Sequence, residues 1–318
     1  MRDERINVMK KRLQLTWKHF KRDWQLWLII IIPVIYFAVF NYGPMYGIQI
    51  AFRDYRPRGG ITGSEWVGLK WFAKFLANPQ FGKIFKNTIS LSLYSMIASF
   101  PLPILFALIL NALESKKYKT VAQTVTYLPH FISMVVMISI LKMVFSPVSG
   151  IYGNVYRLLG GEGYPSDFRG LASTFRHLYV WSGVWQELGW NTIIYTSALS
   201  AVSQEHHEAA MIDGASRLKR IWHIDLPAIM PTVCTLLILR FGSIIGVGFE
   251  KAYMLQSDLN LEVSEVISTY VYKYGLNSFR SFSYGTAVSL FNTAINMILM
   301  FIVNRISRKI SEGEVSLF

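Results

Sequence analysis

The chain has 318 residues, 52% of them hydrophobic and only 16% charged, against about 25% charged in ordinary soluble domains; that composition excludes an ordinary soluble domain and points to a membrane protein. The formal net charge of +13 would raise nucleic acid as a partner in a soluble chain. Here Lys and Arg cluster beside apolar runs, the pattern of membrane anchoring, so nucleic-acid binding is set aside. The one cysteine, Cys234, lies within an apolar run, which excludes a disulfide framework and a multi-cysteine metal site.

From the start, MRDERINVMKKRLQLTWKHFKRDW reads as a basic, partly amphipathic segment of residues 1–24. It resembles the basic region of a signal peptide, but no small-residue cleavage site follows the apolar run, so a retained first span is expected. Six segments are apolar and long enough for about 20 residues of helix to cross the hydrocarbon core: 25–48, 86–112, 122–145, 177–202, 228–250 and 283–305. Pro33, Pro101, Pro103 and Pro129 fall in or near them and predict kinked helices. The expected fold is all-α and integral to the membrane. Its divisions are a basic segment 1–24, a six-helix domain 25–306 and a tail 307–318, without repeats or low-complexity tracts.

Lys and Arg in the short loops and at both termini favour a cytoplasmic location for both ends, which puts the loop between the fourth and fifth spans in the cytoplasm. The longer outer loops carry RDYRPRGGITGSEW and SPVSGIYGNVYRLLGGEGYPSDF, read as turns, with Trp66, Trp71 and Phe72 marking a short amphipathic piece at the outer interface. Asn41 to Tyr55 reads either as an outer gate or as an interfacial Gly-Pro turn with a tyrosine anchor. Lys142, near the outer end of the third span, reads as a snorkelling lysine.

The loop of residues 203–227 contains EAAMIDGASRLKRIWHIDLP. Met211, Ala215, Leu218 and Trp222 recur at helical spacing, so an apolar stripe toward the chain's own membrane domain is expected. Ser203 can cap a helix start, Gly214 permits a bend, and Pro227 prevents simple continuation. Small residues at Ala209, Ala210, Gly214 and Ala215 allow close approach, and Glu208 and Asp213 offer carboxylates. Such a stub suits docking into a partner's groove; an amphipathic helix resting on the membrane is the plainer alternative. His206 and His207 are adjacent and point about 100° apart on a helix, so they do not chelate a metal together. No metal or catalytic site is expected.

EAA at Glu208, Ala209 and Ala210, DGA at Asp213, Gly214 and Ala215, then Ile224, Leu226 and Pro227 resemble the EAA loop through which ABC-importer permeases contact their ATPase. NYGPMYGIQIAFRDY at Asn41 to Tyr55 and TYLPHFIS at Thr126 to Ser133 resemble the LplB-type oligosaccharide permeases, relatives of the membrane subunits of maltose, pectic-oligosaccharide and alginate importers. The resemblance covers essentially the whole chain. It implies a type I importer permease core in a bacterial cell membrane and a second, homologous permease as partner. It also implies an extracellular binding protein that delivers an oligosaccharide, and an ABC ATPase dimer. The chain has no G-x-x-x-x-G-K-[ST] loop, so ATP and Mg are expected on the partner ATPases and ATP hydrolysis is not this chain's work.

Polar groups inside spans are costly and face a bundle interior or wet cavity. Glu187, Trp190, Asn191 and Tyr195 on the fourth span, Arg240 and Ser243 on the fifth, and Asn292 and Asn296 on the sixth are therefore the candidate substrate path. Aromatic faces stack on sugar rings, amides bond hydroxyls, and Arg240 suits a uronate carboxylate; the competing reading is interhelical bonding, such as a Glu187–Arg240 ion pair. Two other function classes stay open. A secondary transporter would show inverted repeats, which are not visible, and a membrane enzyme would need clustered catalytic groups, whereas these polar groups are scattered. A permease for a non-sugar solute would share the EAA loop.

Overall fold

The structure is a computed structural model, described for residues 22–277 and 281–310. The basic segment 1–21 and the tail from 311 lie outside the described residues, and with them most of two expected divisions. The chain separates into two compact units, Met1–Gly68 and Leu69–Phe318.

In the first unit, α1 (Trp24–Phe37) runs through a wide turn at Ala38–Tyr42 and a tight helical stretch to Phe52. Gly43 and Pro44 are helical and make no turn of their own, which corrects one reading of that segment. Pro44 lies inside this continuous run, directly after the wide turn at Ala38–Tyr42, the kind of widened turn at which a helix absorbs a misfit. A hairpin follows, β1 (Arg53–Arg56) pairing antiparallel with β2 (Gly60–Trp66) where only turns were expected. Phe52 stacks on Trp66 at 5.5 Å.

The second unit is helical: α2 (Lys70–Leu76), α3 (Phe81–Ser99), α4 (Pro101–Ala112), α5 (Lys116–Tyr127), α6 (Met134–Val144), α7 (Ile151–Leu158), α8 (Ala172–Leu199), α9 (Gln204–Ile212), α10 (Arg217–Arg220), α11 (Leu226–Phe241), α12 (Phe249–Leu255), α13 (Leu261–Ser264), α14 (Ile267–Val271) and α15 (Phe282–Ile310). Among the described residues four helical runs are long and apolar enough to cross a membrane: Trp24–Phe52, Phe81–Ala112, Arg217–Phe241 and Phe282–Ile306. The pair Lys116–Phe131 and Met134–Val144 makes five if it counts as one span, although it bends by 101°. The expected third span is therefore broken. Pro129 and the N-capping Ser133 interrupt it, and the freed Ile132 carbonyl accepts the Gln186 amide at 2.8 Å. The expected fifth span stops at Phe241, where Gly242, Gly246 and Gly248 open a break before α12. The expected fourth falls on α8, 28 residues long, which is not among the runs apolar enough to cross by that measure; its place is explained by its packing.

Among the described residues three apolar clusters hold the unit, and α8 enters two of them. Leu91, Met137, Phe175, Val180 and Val247 join α3, α6, α8 and the break before α12. Phe75, Ile84, Tyr270, Tyr284 and Val288 join α2, α3, α14 and α15. Ala107, Leu108, Tyr195, Leu199 and Ile229 join α4, α8 and α11. In a bilayer such clusters hold by close van der Waals packing rather than by release of water, and α8 is the axis against which the shorter pieces are fixed.

Candidate functional site: a polar cavity and an exposed stub

The break between α11 and α12 places backbone and polar groups where a continuous helix would leave none. A cavity of about 410 Å³ opens there. Ser92, Ser95 and Ser99 line it from α3; Tyr179, Gln186, Glu187 and Asn191 from α8; and Arg240, Ser243 and Lys251 from the broken fifth segment. Tyr179 holds the break in place, its hydroxyl accepting the Gly248 N–H at 3.1 Å. Asn296 reaches the same break from α15, its Oδ1 accepting the Ile245 N–H at 2.9 Å.

Of the residues singled out in the sequence, Glu187, Asn191, Arg240 and Ser243 meet at this cavity. The Glu187–Arg240 ion pair is not formed: Glu187 bonds His130 Nδ1 at 3.0 Å, and Arg240 donates to the Ser99 hydroxyl at 3.3 Å. Trp190 stacks face to face on that same histidine at 4.1 Å, so it backs the Glu187–His130 pair. Tyr195 is packed among Ala107, Leu108 and Ile229, away from the cavity. Asn296 serves the backbone, and Asn292 does not line the cavity, its buried Oδ1 having no partner. Sequence reasoning missed Lys251, Tyr179, Gln186, His130 and the serines of α3. The glycines at 242, 246 and 248 were the available signal, because a break there turns Lys251 from a loop residue into a cavity wall.

The segment after α8 has the opposite character. Ser203 caps α9, its Oγ accepting the Glu205 N–H at 3.2 Å, and α9 ends in a Schellman motif. Ala215 N–H bonds the Ala210 carbonyl at 2.8 Å and Gly214 N–H the Met211 carbonyl at 3.0 Å. Gly214 has φ +75°, a conformation that costs a residue with a Cβ about 1–2 kcal/mol. Ser216 then caps α10. Pro227 does not end the helix: a widened turn at Ile221–Asp225 precedes it, and the helical run continues to Phe241. Such single wide turns recur where a helix absorbs a misfit.

Most of the expected apolar stripe does not face this chain. Leu218 is 70% exposed, Trp222 64% and Met211 50%, while Ala215 is half-buried; Ile212, outside the stripe, is 87% exposed. Glu208, Ala209, Asp213 and Gly214 are exposed as well, while Ala210 and Ala215 are half-buried. The foot of the stub is nevertheless fixed. His207 Nε2 meets the buried Asp225 carboxylate at 3.2 Å, Asn111 of α4 donates to the same oxygen at 3.2 Å, and Arg217 pairs with Glu114. The second histidine thus serves an anchor in this chain.

The described residues thus form a multi-pass helical protein with a polar cavity beside a broken helix. Residues 99–312 match the model of the family described as binding-protein-dependent transport system inner membrane component. The chain is 41% identical over 292 residues to Protein LplB of Bacillus subtilis, covering 92% of this chain and 91% of that protein. It is 42% identical over 310 residues to the polygalacturonan/rhamnogalacturonan transport system permease protein YteP of the same organism, covering 98% and 95%. Among solved structures, a chain of a bacterial alginate ABC transporter, in complex with alginate pentasaccharide-bound periplasmic protein, superposes with a TM-score of 0.84 at 35% identity. That match covers 95% of this chain and 99% of the other. The protein belongs to the binding-protein-dependent transport system inner membrane components, the permease subunits of ABC importers. In that class ATP hydrolysis is the work of separate ATPase subunits.

Proposed function

We propose that this chain is one permease of an ATP-driven oligosaccharide importer. An extracellular binding protein delivers the sugar, a second homologous permease completes the path, and an ABC ATPase dimer holds ATP and Mg. The relatives support the cargo class, one named for polygalacturonan and rhamnogalacturonan and a structural neighbour for alginate. The observation that carries the reading is the cavity of about 410 Å³ beside the broken fifth segment. A cavity edged by hydroxyl, amide and charged groups, with Tyr179 beside it, meets the needs of a sugar, whose rings present hydroxyls at their edges and apolar faces. On this reading Glu187, Asn191, Arg240 and Ser243 contact cargo, Trp190 acts through His130, and Tyr195, Asn292 and Asn296 hold the frame.

The proposal extends to topology. Residues 25–306 cross the membrane six times, counting the broken third segment and α8, and the segments 1–24 and 307–318 are cytoplasmic. The loop 203–227 is then the EAA coupling loop, with Glu208, Ala209, Ala210, Asp213, Gly214 and Ala215 in the ATPase cleft. Its exposed apolar side chains and small tip are what such a cleft covers. Closure of the ATPases on nucleotide would draw the coupling helices together and shift the cavity between outward and inward access, through differential binding of the two states.

The test is reconstitution in proteoliposomes with the copurifying subunits and binding protein, read as ATPase stimulation by a panel of oligosaccharides. Stimulation by at least one sugar is expected; stimulation by amino acids or phosphate alone, or uptake driven by an ion gradient without ATP, contradicts it.

A further inference from the structure

The cavity holds a buried lysine that no carboxylate pairs directly. Lys251 is only 5% exposed, and its ammonium lies 4.8 Å from the centroid of the Tyr179 ring. Among the described residues it has no carboxylate within 4.0 Å. The one carboxylate lining the cavity, Glu187, is taken by His130 at 3.0 Å. Room for the ammonium comes from Gly183 of α8, where an added Cβ would stand 2.9 Å from Nζ. Arg240, the second cation on the wall, bonds only a neutral hydroxyl.

Burying an ammonium without an anion is costly, and burying hydroxyls without partners adds to the cost. Ser92 Oγ and Ser95 Oγ, which line the same cavity, are buried and have no partner. A fold tolerates such a cluster where a ligand supplies the missing groups, since groups left unpaired in the free site discriminate strongly for the ligand that pairs them. The cluster therefore lacks a direct anionic partner for the ammonium and hydrogen-bond partners for two hydroxyls.

We infer that Lys251, assisted by Arg240, is an anion subsite on the transport path, and that the cargo carries a negatively charged sugar unit, carboxylated or sulfated, whose hydroxyls bond Ser92 and Ser95. This rests on the reading of the chain as an oligosaccharide permease and names the cargo more narrowly. Lys251 is a point charge that suits an anionic group of either geometry, and Arg240 adds a planar fork that favours a carboxylate.

The experiment uses the whole reconstituted importer and measures uptake of short oligogalacturonates and oligoalginates, their carboxyl-reduced counterparts, sulfated galactan oligosaccharides, and neutral malto- and arabino-oligosaccharides. The intact protein is expected to take an acidic oligosaccharide at least about tenfold faster than its uncharged counterpart, as for loss of a charged hydrogen-bond partner. Lys251→Met is expected to erase that preference and Lys251→Arg to retain it, with copurification of the partner subunits as the check on assembly. If Lys251→Met does not assemble, the comparison of acidic and carboxyl-reduced sugar on the intact protein decides alone. Uptake of neutral oligosaccharides only, or an unchanged acidic preference in Lys251→Met, overturns the subsite and leaves the oligosaccharide reading standing. Uptake of no sugar at all overturns that reading itself.

Discussion

The cavity and the stub depart from the ordinary pattern of burial in opposite directions. Around the cavity, Lys251 is buried with the Tyr179 ring against its ammonium, and the hydroxyls of Ser92 and Ser95 are buried without partners. On the stub, Ile212, Leu218 and Trp222 are apolar and exposed. Each condition costs free energy in the isolated chain. On the proposed function the kind of group left unsatisfied distinguishes what each region would meet: a polar, charged ligand at the first and a protein surface at the second. Their frames are alike, because hydrogen bonds fix both: from Tyr179 and Asn296 at the break, and among Asp225, His207 and Asn111 at the foot of the stub.

Variants that alter one region and spare the other sharpen this contrast. The largest effect is expected from Gly214→Val, which forces a β-branched residue into a left-handed turn at the tip. Transport is expected to fall by about thirtyfold or more, as for loss of a central interface residue. Copurification of the ATPase should fall with it, and full copurification would break the assignment. Asn296→Leu comes next. It removes the acceptor of the Ile245 N–H and is expected to cost about 1–3 kcal/mol, seen as a lower thermal midpoint of the detergent-solubilised complex. No shift would mean that the break does not depend on α15. A smaller change is expected from Asn191→Ala, which removes one neutral hydrogen-bonding group from the cavity. A threefold to roughly tenfold loss of uptake for the preferred cargo, with ATPase copurification intact, is the expected result.

The smallest lies outside both regions, in the loop before α8. Arg169 bonds Asp167 through two guanidinium nitrogens at 2.7 and 2.6 Å and holds its carboxyl below the usual aspartate range. A depressed carboxyl stabilises the fold above its unfolded value, about 3.9, and the contribution is lost as pH falls through the folded value. Because the pair is partly exposed, Asp167→Asn should cost less than about 1 kcal/mol near neutral pH. The difference in thermal midpoint should shrink on acidification; a constant difference would assign the effect to packing.

The stub was the most legible part of the sequence. Its cap at Ser203, its bend at Gly214 and its small residues are local signals, and the structure places each where the spacing predicts. The direction of its apolar stripe was not legible, because helical periodicity says which residues share a face but not what covers that face. The helix breaks were less visible still. Apolar composition alone carries 122–145 and 228–250 as continuous spans. The bend at Ile132 and the opening at Gly242–Gly248 depend on partners far along the chain, Gln186 for one and Tyr179 and Asn296 for the other. Half of the predicted path residues therefore reached the cavity, and Lys251 was missed because a span drawn to residue 250 left it in a loop. Tyr195 went the other way: on α8 it shares a helix with Glu187 and Asn191 yet packs among alanine, leucine and isoleucine.

The central claim is that one region moves the protein and the other selects what is moved. The direct measurement is ATPase stimulation by cargo-loaded binding protein in the reconstituted importer, compared between Glu208→Lys and Asn191→Ala across several cargos. Glu208→Lys is predicted to abolish stimulation by every cargo alike, whereas Asn191→Ala is predicted to change the ranking of cargos while stimulation persists. Normal stimulation in Glu208→Lys, or an equal loss for all cargos in Asn191→Ala, would contradict the division.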